Sequence, residues 1–148
     1  MSKKIISSVY TIDRESDKDY EYIIGLEPKT VLKSFISNLD NEETMIHVYD
    51  YERKEIDDTS YIGTSFIVTL EFEDEVLDEL TIIVRGDLNS DGDITTADYV
   101  KMKNYILKKI EFNRIEMLAG DLTKSSSIGT TDYVKLKNYI LKKIPSVN

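Results

Sequence analysis

The 148-residue chain has no cysteine and no tryptophan, one histidine and two prolines. Without cysteine there is no disulfide, no thiolate metal site and no cysteine nucleophile. The single histidine, His47, removes most transition-metal sites and the usual Ser-His catalytic pairs. Its neighbours, MIHVYDY, alternate apolar and polar as in a half-buried strand. No apolar run approaches the ~20 residues of a membrane span. The opening MSKKIISSVYTIDRESDKDY carries no hydrophobic signal segment. These absences exclude a membrane span and leave secretion open.

Acidic side chains outnumber basic ones, 28 to 19, for a net charge of -9, and the excess is unevenly spread. Residues 1 to 86 hold 20 acidic and 9 basic side chains, whereas residues 87 to 148 hold 8 and 10. An acidic front half repels phosphate, so no nucleic-acid partner is expected.

What the chain does contain is a repeat. GDLNSDGDITTADYVKMKNYILKKI (86–110) returns as GDLTKSSSIGTTDYVKLKNYILKKI (120–144), offset by 34 positions, with nearly every difference inside the loop. Each tail reads as a helix. Thr95 or Thr96 in the first copy, and Thr130 or Thr131 in the second, are placed to cap it. Asp98 and Asp132 fall in the first turn, where a negative charge suits the helix dipole. Tyr99, Met102 and Ile106, with Val100 and Leu107 alongside, suggest one apolar face, so the two helices can cover each other. Pro145 is expected to stop the second helix. The intervening EFNRIEMLA has helix-like spacing and suggests a connecting helix.

The front part has a different rhythm. EYIIGL, MIHVYDY, SFIVTLEF and ELTIIVRG read as strands, and PKTVLKSFISNL between the first two reads as a helix. The acid-rich stretches Asp50 to Asp58 and Glu71 to Glu79 read as solvated turns. The fold expected is α+β in two modules. Residues 1–85 form a small sheet with one packed helix, with 1–19 a tail or an extra strand. Residues 86–148 form an all-α pair of loop-helix repeats with a connecting helix.

DLNSDGDITTAD carries the chemistry. Ca2+ takes six to eight oxygens, and a twelve-residue loop supplies them from positions 1, 3, 5, 7, 9 and 12. Here these are Asp87, Asn89, Asp91, the carbonyl of Asp93, Thr95 and Asp98. Gly92 stands at position 6, where the chain turns sharply, and Ile94 at position 8 can anchor the loop. Position 12 is Asp98 where an EF-hand usually has Glu, and a strand leads in where an EF-hand has a helix. The second copy, DLTKSSSIGTTD, offers only Asp121, Thr123, Ser125, the Ser127 carbonyl and Asp132. Having lost a carboxylate, it should be empty or weak, so one tightly bound Ca2+ is expected. Lys124, or hydrogen bonds from Ser125 to Ser127, could satisfy the carboxylates left behind.

Two such repeats with Asp at position 12, a connecting helix and no entering helix resemble a type I dockerin over residues 86 to 144. The front half is similar, less specifically, to the small β-rich X-modules that precede dockerins in secreted bacterial proteins. The resemblance implies a calcium-dependent module that plugs into a cohesin and attaches an extracellular protein to a cellulosome-like assembly or a cell surface. It implies no catalysis and a free monomer. It also implies partner-binding positions: Thr96, Ala97, Lys103, Asn104 and Lys108, and in the second copy Thr130, Thr131, Lys137, Asn138 and Lys142. Because both helices present KNYILKK outward, a rotation of about 180° could offer either face to one partner. In the alternative, calcium only clamps a structural module against residues 20 to 84, and these faces are then buried.

Overall fold

The computed structural model describes residues 2–148. The architecture is α+β, with five strands in one mixed sheet and four helices around it. The strands are β1 (Thr11–Asp13), β2 (Tyr22–Ile24), β3 (Ile46–Tyr49), β4 (Ile67–Phe72) and β5 (Glu75–Ile83). The helices are α1 (Leu32–Ser37), α2 (Thr96–Ile106), α3 (Arg114–Gly120) and α4 (Thr130–Ile140). The runs EYIIGL, MIHVYDY and SFIVTLEF contain β2, β3 and β4, whereas ELTIIVRG covers only the later part of β5, which begins four residues earlier at Glu75. β1 is the extra strand in the opening segment.

The sheet order is β1-β2-β5-β4-β3, antiparallel throughout except for β2 beside β5. A parallel pair needs a crossover, and α1, β3 and β4 lie in it. β4 and β5 form one hairpin with Phe72 opposite Glu75. Glu73 and Asp74, at φ 50 and 65, make its whole turn. Both residues at positive φ fit a type I′ turn, so the acidic stretch from Glu71 to Glu79 is mostly strand and its turn is two residues long.

Alternation along the strands gives the sheet two faces. Ile23, Ile46, Val48, Val68, Leu70, Leu80 and Ile82 pack with Leu32, Phe35 and Leu39 of the α1 region into one core. Burying an aliphatic or aromatic side chain of this kind contributes roughly 1.5–3 kcal/mol. Tyr22, Ile24 and Ile83 point the other way and join a second core with Leu88, Met102, Ala119, Leu122 and Leu136. The sheet is therefore covered on one face by α1 and, at its β2–β5 end, on the other by the helical repeats.

The opening segment is tied down by a buried carboxylate. Asp78 Oδ2 accepts from the Ile5 amide at 2.8 Å, and the Arg14 guanidinium grips both of its oxygens at 2.6 and 3.1 Å. At the other end of the chain, Asn148 Nδ2 donates to the Leu26 carbonyl at 3.1 Å, and Val147 is buried in the second core. Pro145 does not stop α4, which ends at Ile140. The stop is a left-handed residue, Lys142 at φ 61, matched by Lys108 at φ 61 after α2. In each case the next amides reach back to helix carbonyls, Lys108 to Tyr105 and Lys109 to Asn104, then Lys142 to Tyr139 and Lys143 to Asn138. This is the Schellman pattern, with lysine in the place usually taken by glycine.

Candidate metal centre and the twin helix faces

β5 delivers the chain through Gly86 into the first loop. One carboxylate oxygen from each of Asp87, Asp91 and Asp98 lies within 4.8 Å of the others. Asp87 and Asp98 are fully buried, and Asp91 is exposed. Asp98 sits in the first turn of α2, where its Oδ1 accepts from the amides of Leu88 and Asn89 and its Oδ2 from that of Thr95. Asp87 Oδ1 accepts from the Asp91 amide, and its Oδ2 from the Gly92 amide at 3.0 Å and the Thr64 amide at 2.9 Å. Asn89, Asp93 and Thr95 lie between these acids on the same loop, and Thr95 caps α2 by accepting from the Ala97 amide. Gly92 adopts φ 80, and Ile94 is buried over Gly86, as the turn and anchor positions require.

The electrostatics suit a hard cation. Burial pushes the Asp87 carboxyl up to about 7, reinforced by the neighbouring charges of Asp98 and Asp91. Burial also raises Asp98, again with Asp91 adding to it. Among the described residues no lysine, arginine or histidine pairs with these three acids. Three converging carboxylates, two of them desolvated and none neutralised by a side chain, fit the oxygen-rich donor set of Ca2+.

The second loop has the same backbone and different chemistry. Positions 4 and 6 are left-handed in both copies: Ser90 at φ 63 and Lys124 at φ 59, then Gly92 at φ 80 and Ser126 at φ 73. Asp121 accepts from the amides of Ser125 and Ser126, and Asp132 from the amides of Thr123 and Gly129. The Thr123 hydroxyl donates to Asp132 Oδ1 at 2.9 Å, and the Ser125 hydroxyl to the Ser127 carbonyl at 3.0 Å. The oxygens expected to serve a metal are thus bonded to one another. Of the two substitutes expected for the ion, hydrogen bonds are the one present. The amides at positions 5 and 6 hold Asp121 as they hold Asp87 in the first loop, and the Thr123 and Ser125 hydroxyls are the addition. Lys124 is exposed and, among the described residues, forms no ion pair. The helix cap also differs from expectation, since Gly129 is the N-cap and Thr130 is already helical. With no side chain at Gly129, the side-chain bond of that cap is the one Asp132 accepts from the Gly129 amide, beside the backbone bonds to the Gly129 carbonyl.

Between the helices, Met102 and Leu136 are fully buried and the rings of Tyr99 and Tyr133 stack. Val100 and Leu107, assigned to this apolar face from spacing, instead point outward. One residue along a helix is about 100° around it, which carries these two away from Tyr99 and Ile106. Val100 and Val134 are each 51% exposed, and Leu107 and Leu141 each 52%. Around them Thr96, Ala97, Lys103 and Lys108 are exposed with Asn104 half-buried, and Thr130, Thr131, Lys137 and Lys142 are exposed with Asn138 half-buried. The four apolar residues were not among the expected partner-binding positions. The signal was present in their identical placement in both copies.

A family model described as "Dockerin type I domain" matches residues 85–141. The C-terminal half of the chain is a type I dockerin domain. Dockerins are non-catalytic interaction modules. Two solved structures are similar to this half. One is a type I cohesin–dockerin complex from Clostridium thermocellum, at 40% identity over 43% of this chain and 93% of that one, with a TM-score of 0.41. The other is the ScaB dockerin, mutated in its N-terminal helix, with the third cohesin of ScaC from Acetivibrio cellulolyticus. Its identity is 35% over 43% of this chain and 90% of that one, with a TM-score of 0.41. No curated protein sequence matched.

The dockerin meets the front sheet through the first loop, α3 and the C-terminal tail, besides the shared second core. The Lys29 amide donates to the Gly92 carbonyl at 2.7 Å, Arg114 of α3 pairs with Asp17, and Ser146 donates to Glu27. The outward faces of α2 and α4 take no part in these contacts. Among the described residues, no helix is long and apolar enough to cross a membrane.

Proposed function

We propose that this dockerin docks onto a cohesin module of another protein through the outward faces of α2 and α4. The observation that carries the reading is the twin exposure of Val100 and Leu107 with Val134 and Leu141. Each pair is an apolar centre ringed by threonine, asparagine and lysine, the anatomy of an interface with an apolar core and a polar rim. The solved chains similar to this half come from cohesin–dockerin complexes, and we extend that partner class to this chain. The contact residues are Thr96, Ala97, Lys103, Asn104 and Lys108 on one face, and Thr130, Thr131, Lys137, Asn138 and Lys142 on the other. The repeat makes the faces interchangeable by a rotation of about 180°, and Thr130 with Thr131 supplies the more complete hydroxyl pair.

Calcium belongs to the first loop in this reading, held by Asp87, Asn89, Asp91, the Asp93 carbonyl, Thr95 and Asp98. The ion neutralises carboxylates that burial and mutual repulsion otherwise destabilise, and so sets the start of α2. The second loop keeps its shape by internal hydrogen bonds. The biological role that follows is attachment of an extracellular protein to a multi-protein assembly or cell surface, with the chain monomeric when free and residues 1–85 and 86–148 as its two modules. The competing reading makes the dockerin a purely structural partner of its own front module. It would bury the KNYILKK faces against residues 20 to 84, and their exposure argues against it.

The test is calorimetry of the full chain with a type I cohesin in calcium and in EDTA. Binding in calcium that is lost in EDTA is expected. No heat with a panel of type I cohesins in calcium would remove the reading.

A further inference from the structure

The first loop is not closed by the dockerin alone. Its Asp87 Oδ2 accepts from two amides, and one of them, Thr64, lies in the front module just before β4. Thr64 is itself buried, with its hydroxyl donating to the Val84 carbonyl and accepting from the Val84 amide, both at 3.1 Å. Segment 61–64 also touches the loop by shape. A Cβ on Gly63 would lie 2.5 Å from the Ser90 carbonyl oxygen, and one on Gly92 would lie 2.7 Å from Tyr61 Cβ and 2.9 Å from the Ile62 carbonyl oxygen. Gly63 has an ordinary φ, so space and not backbone conformation makes it glycine. On the other side, the Lys29 amide holds the Gly92 carbonyl. The front module thus contacts positions 1, 4 and 6 of the loop that retains its carboxylates.

The second loop has no such brace. Residues 123–127 are all exposed, and Asp121 takes its amides from Ser125 and Ser126 within the loop. A Cβ on Gly129 would meet nothing within 4 Å.

We propose that segment 61–64 of the front module is a positioning clamp for the first calcium loop. By fixing the Asp87 carboxylate with the Thr64 amide, it makes calcium affinity and the docking of the two modules one linked equilibrium. The proposal rests on the calcium reading of that loop. The Thr64 amide holds Oδ2 and orients the Asp87 carboxylate before an ion arrives. Linkage makes the effect reciprocal: an ion bound more tightly by the clamped loop must tighten the clamp. The front module, which carries no ligand, thereby becomes calcium-responsive.

Two measurements on the full chain test this. Calcium titration by calorimetry compares the native chain with Gly63→Ala, which presses on Ser90 and changes no ligand, and with Gly129→Ala as the open-space control. Gly63→Ala is expected to weaken calcium about 10-fold or more, the range for groups that orient metal ligands. Gly129→Ala should leave the affinity unchanged. Amide hydrogen exchange of the native chain should show calcium slowing Thr64, and it decides the matter alone if Gly63→Ala does not fold. Native calcium uptake with Thr64 exchange unaltered, or with Gly63→Ala binding as the native chain does, overturns the clamp. No uptake by the native chain overturns the calcium assignment itself, and the clamp with it.

Discussion

The rings of Tyr99 and Tyr133 stack with centroids 4.2 Å apart and planes 10° from parallel. They are the same residue of two repeats, 34 positions apart, facing each other between α2 and α4. That contact marks the internal symmetry of the dockerin, with Met102 and Leu136 buried alongside. The valine and leucine pairs on the outer surfaces inherit the symmetry. The two loops and the sheet that precedes them break it.

The broken symmetry fixes the expected calcium stoichiometry. Titration of the full chain should give one tight site, and EDTA should lower the melting temperature. A ligand held at 1,000 times its Kd stabilises by about 4 kcal/mol, so the shift should be several degrees. Two equivalent tight sites in calorimetry would contradict this.

The two loop-closing acids should differ in what they cost. Asp98→Asn removes a charge from the clustered carboxylates and should weaken calcium about 10-fold or more. Asp132→Asn should leave calcium affinity unchanged and cost about 1–2 kcal/mol in urea unfolding, because Asp132 accepts from Thr123 and Gly129 and the amide accepts with one oxygen only.

Lys124→Ala is expected to change unfolding free energy by less than about 0.5 kcal/mol at saturating calcium, the usual range for a surface side chain without a partner. Its neighbours Ser125 and Ser126 already supply the hydrogen bonds to Asp121. A larger loss in thermal or urea unfolding would restore the lysine to the role of cation substitute.

If the faces are interchangeable, disabling one should leave a cohesin bound through the other. Val100→Asp with Leu107→Asp should weaken calorimetric binding only a few-fold, and so should Val134→Asp with Leu141→Asp. All four together should abolish it, since charges then occupy the apolar centre of both faces. Complete loss from one pair alone would show that a single face binds.

The Arg14–Asp78 pair, which ties the opening segment to β5, predicts acid sensitivity in the sheet. Burial pushes the Asp78 carboxyl up, but the Arg14 guanidinium and the Ile5 amide more than offset it, leaving it below the ordinary value. A carboxyl with a lowered folded pKa contributes stability above its unfolded value, near 4, and loses it as pH falls through the folded value. Urea unfolding should weaken over that interval. Arg14→Met should cost about 2–3 kcal/mol at neutral pH, less than a fully buried pair because Arg14 is partly exposed. The same variant should flatten the acid limb.

Much of this was legible in the residues because it is local. DLNSDGDITTAD places its carboxylates, its left-handed glycine and its helix start within twelve positions, and the structure brings Asp87, Asp91 and Asp98 together. The strand runs, apart from the start of β5, and a helix within PKTVLKSFISNL were legible for the same reason, although that helix holds only Leu32–Ser37 and begins four residues after Pro28. Where spacing misled, a neighbour decided. Val100 and Leu107 match the apolar pattern of α2, but α4 covers only the side that carries Tyr99 and Met102. Pro145 looks like a stop, but the left-handed Lys142 ends the helix first.

By itself the sequence determined the repeat, the loop that keeps its carboxylates and the helices that follow, because ligand spacing, turn glycine and cap are all short-range. Only the tertiary structure decided which helix faces stay open and what closes the first loop. The Thr64 amide meets Asp87 across 23 positions of chain, and the Lys29 amide meets Gly92 from farther still. A backbone amide has no side-chain identity, so nothing in the letters marks it as a partner until the fold brings it there.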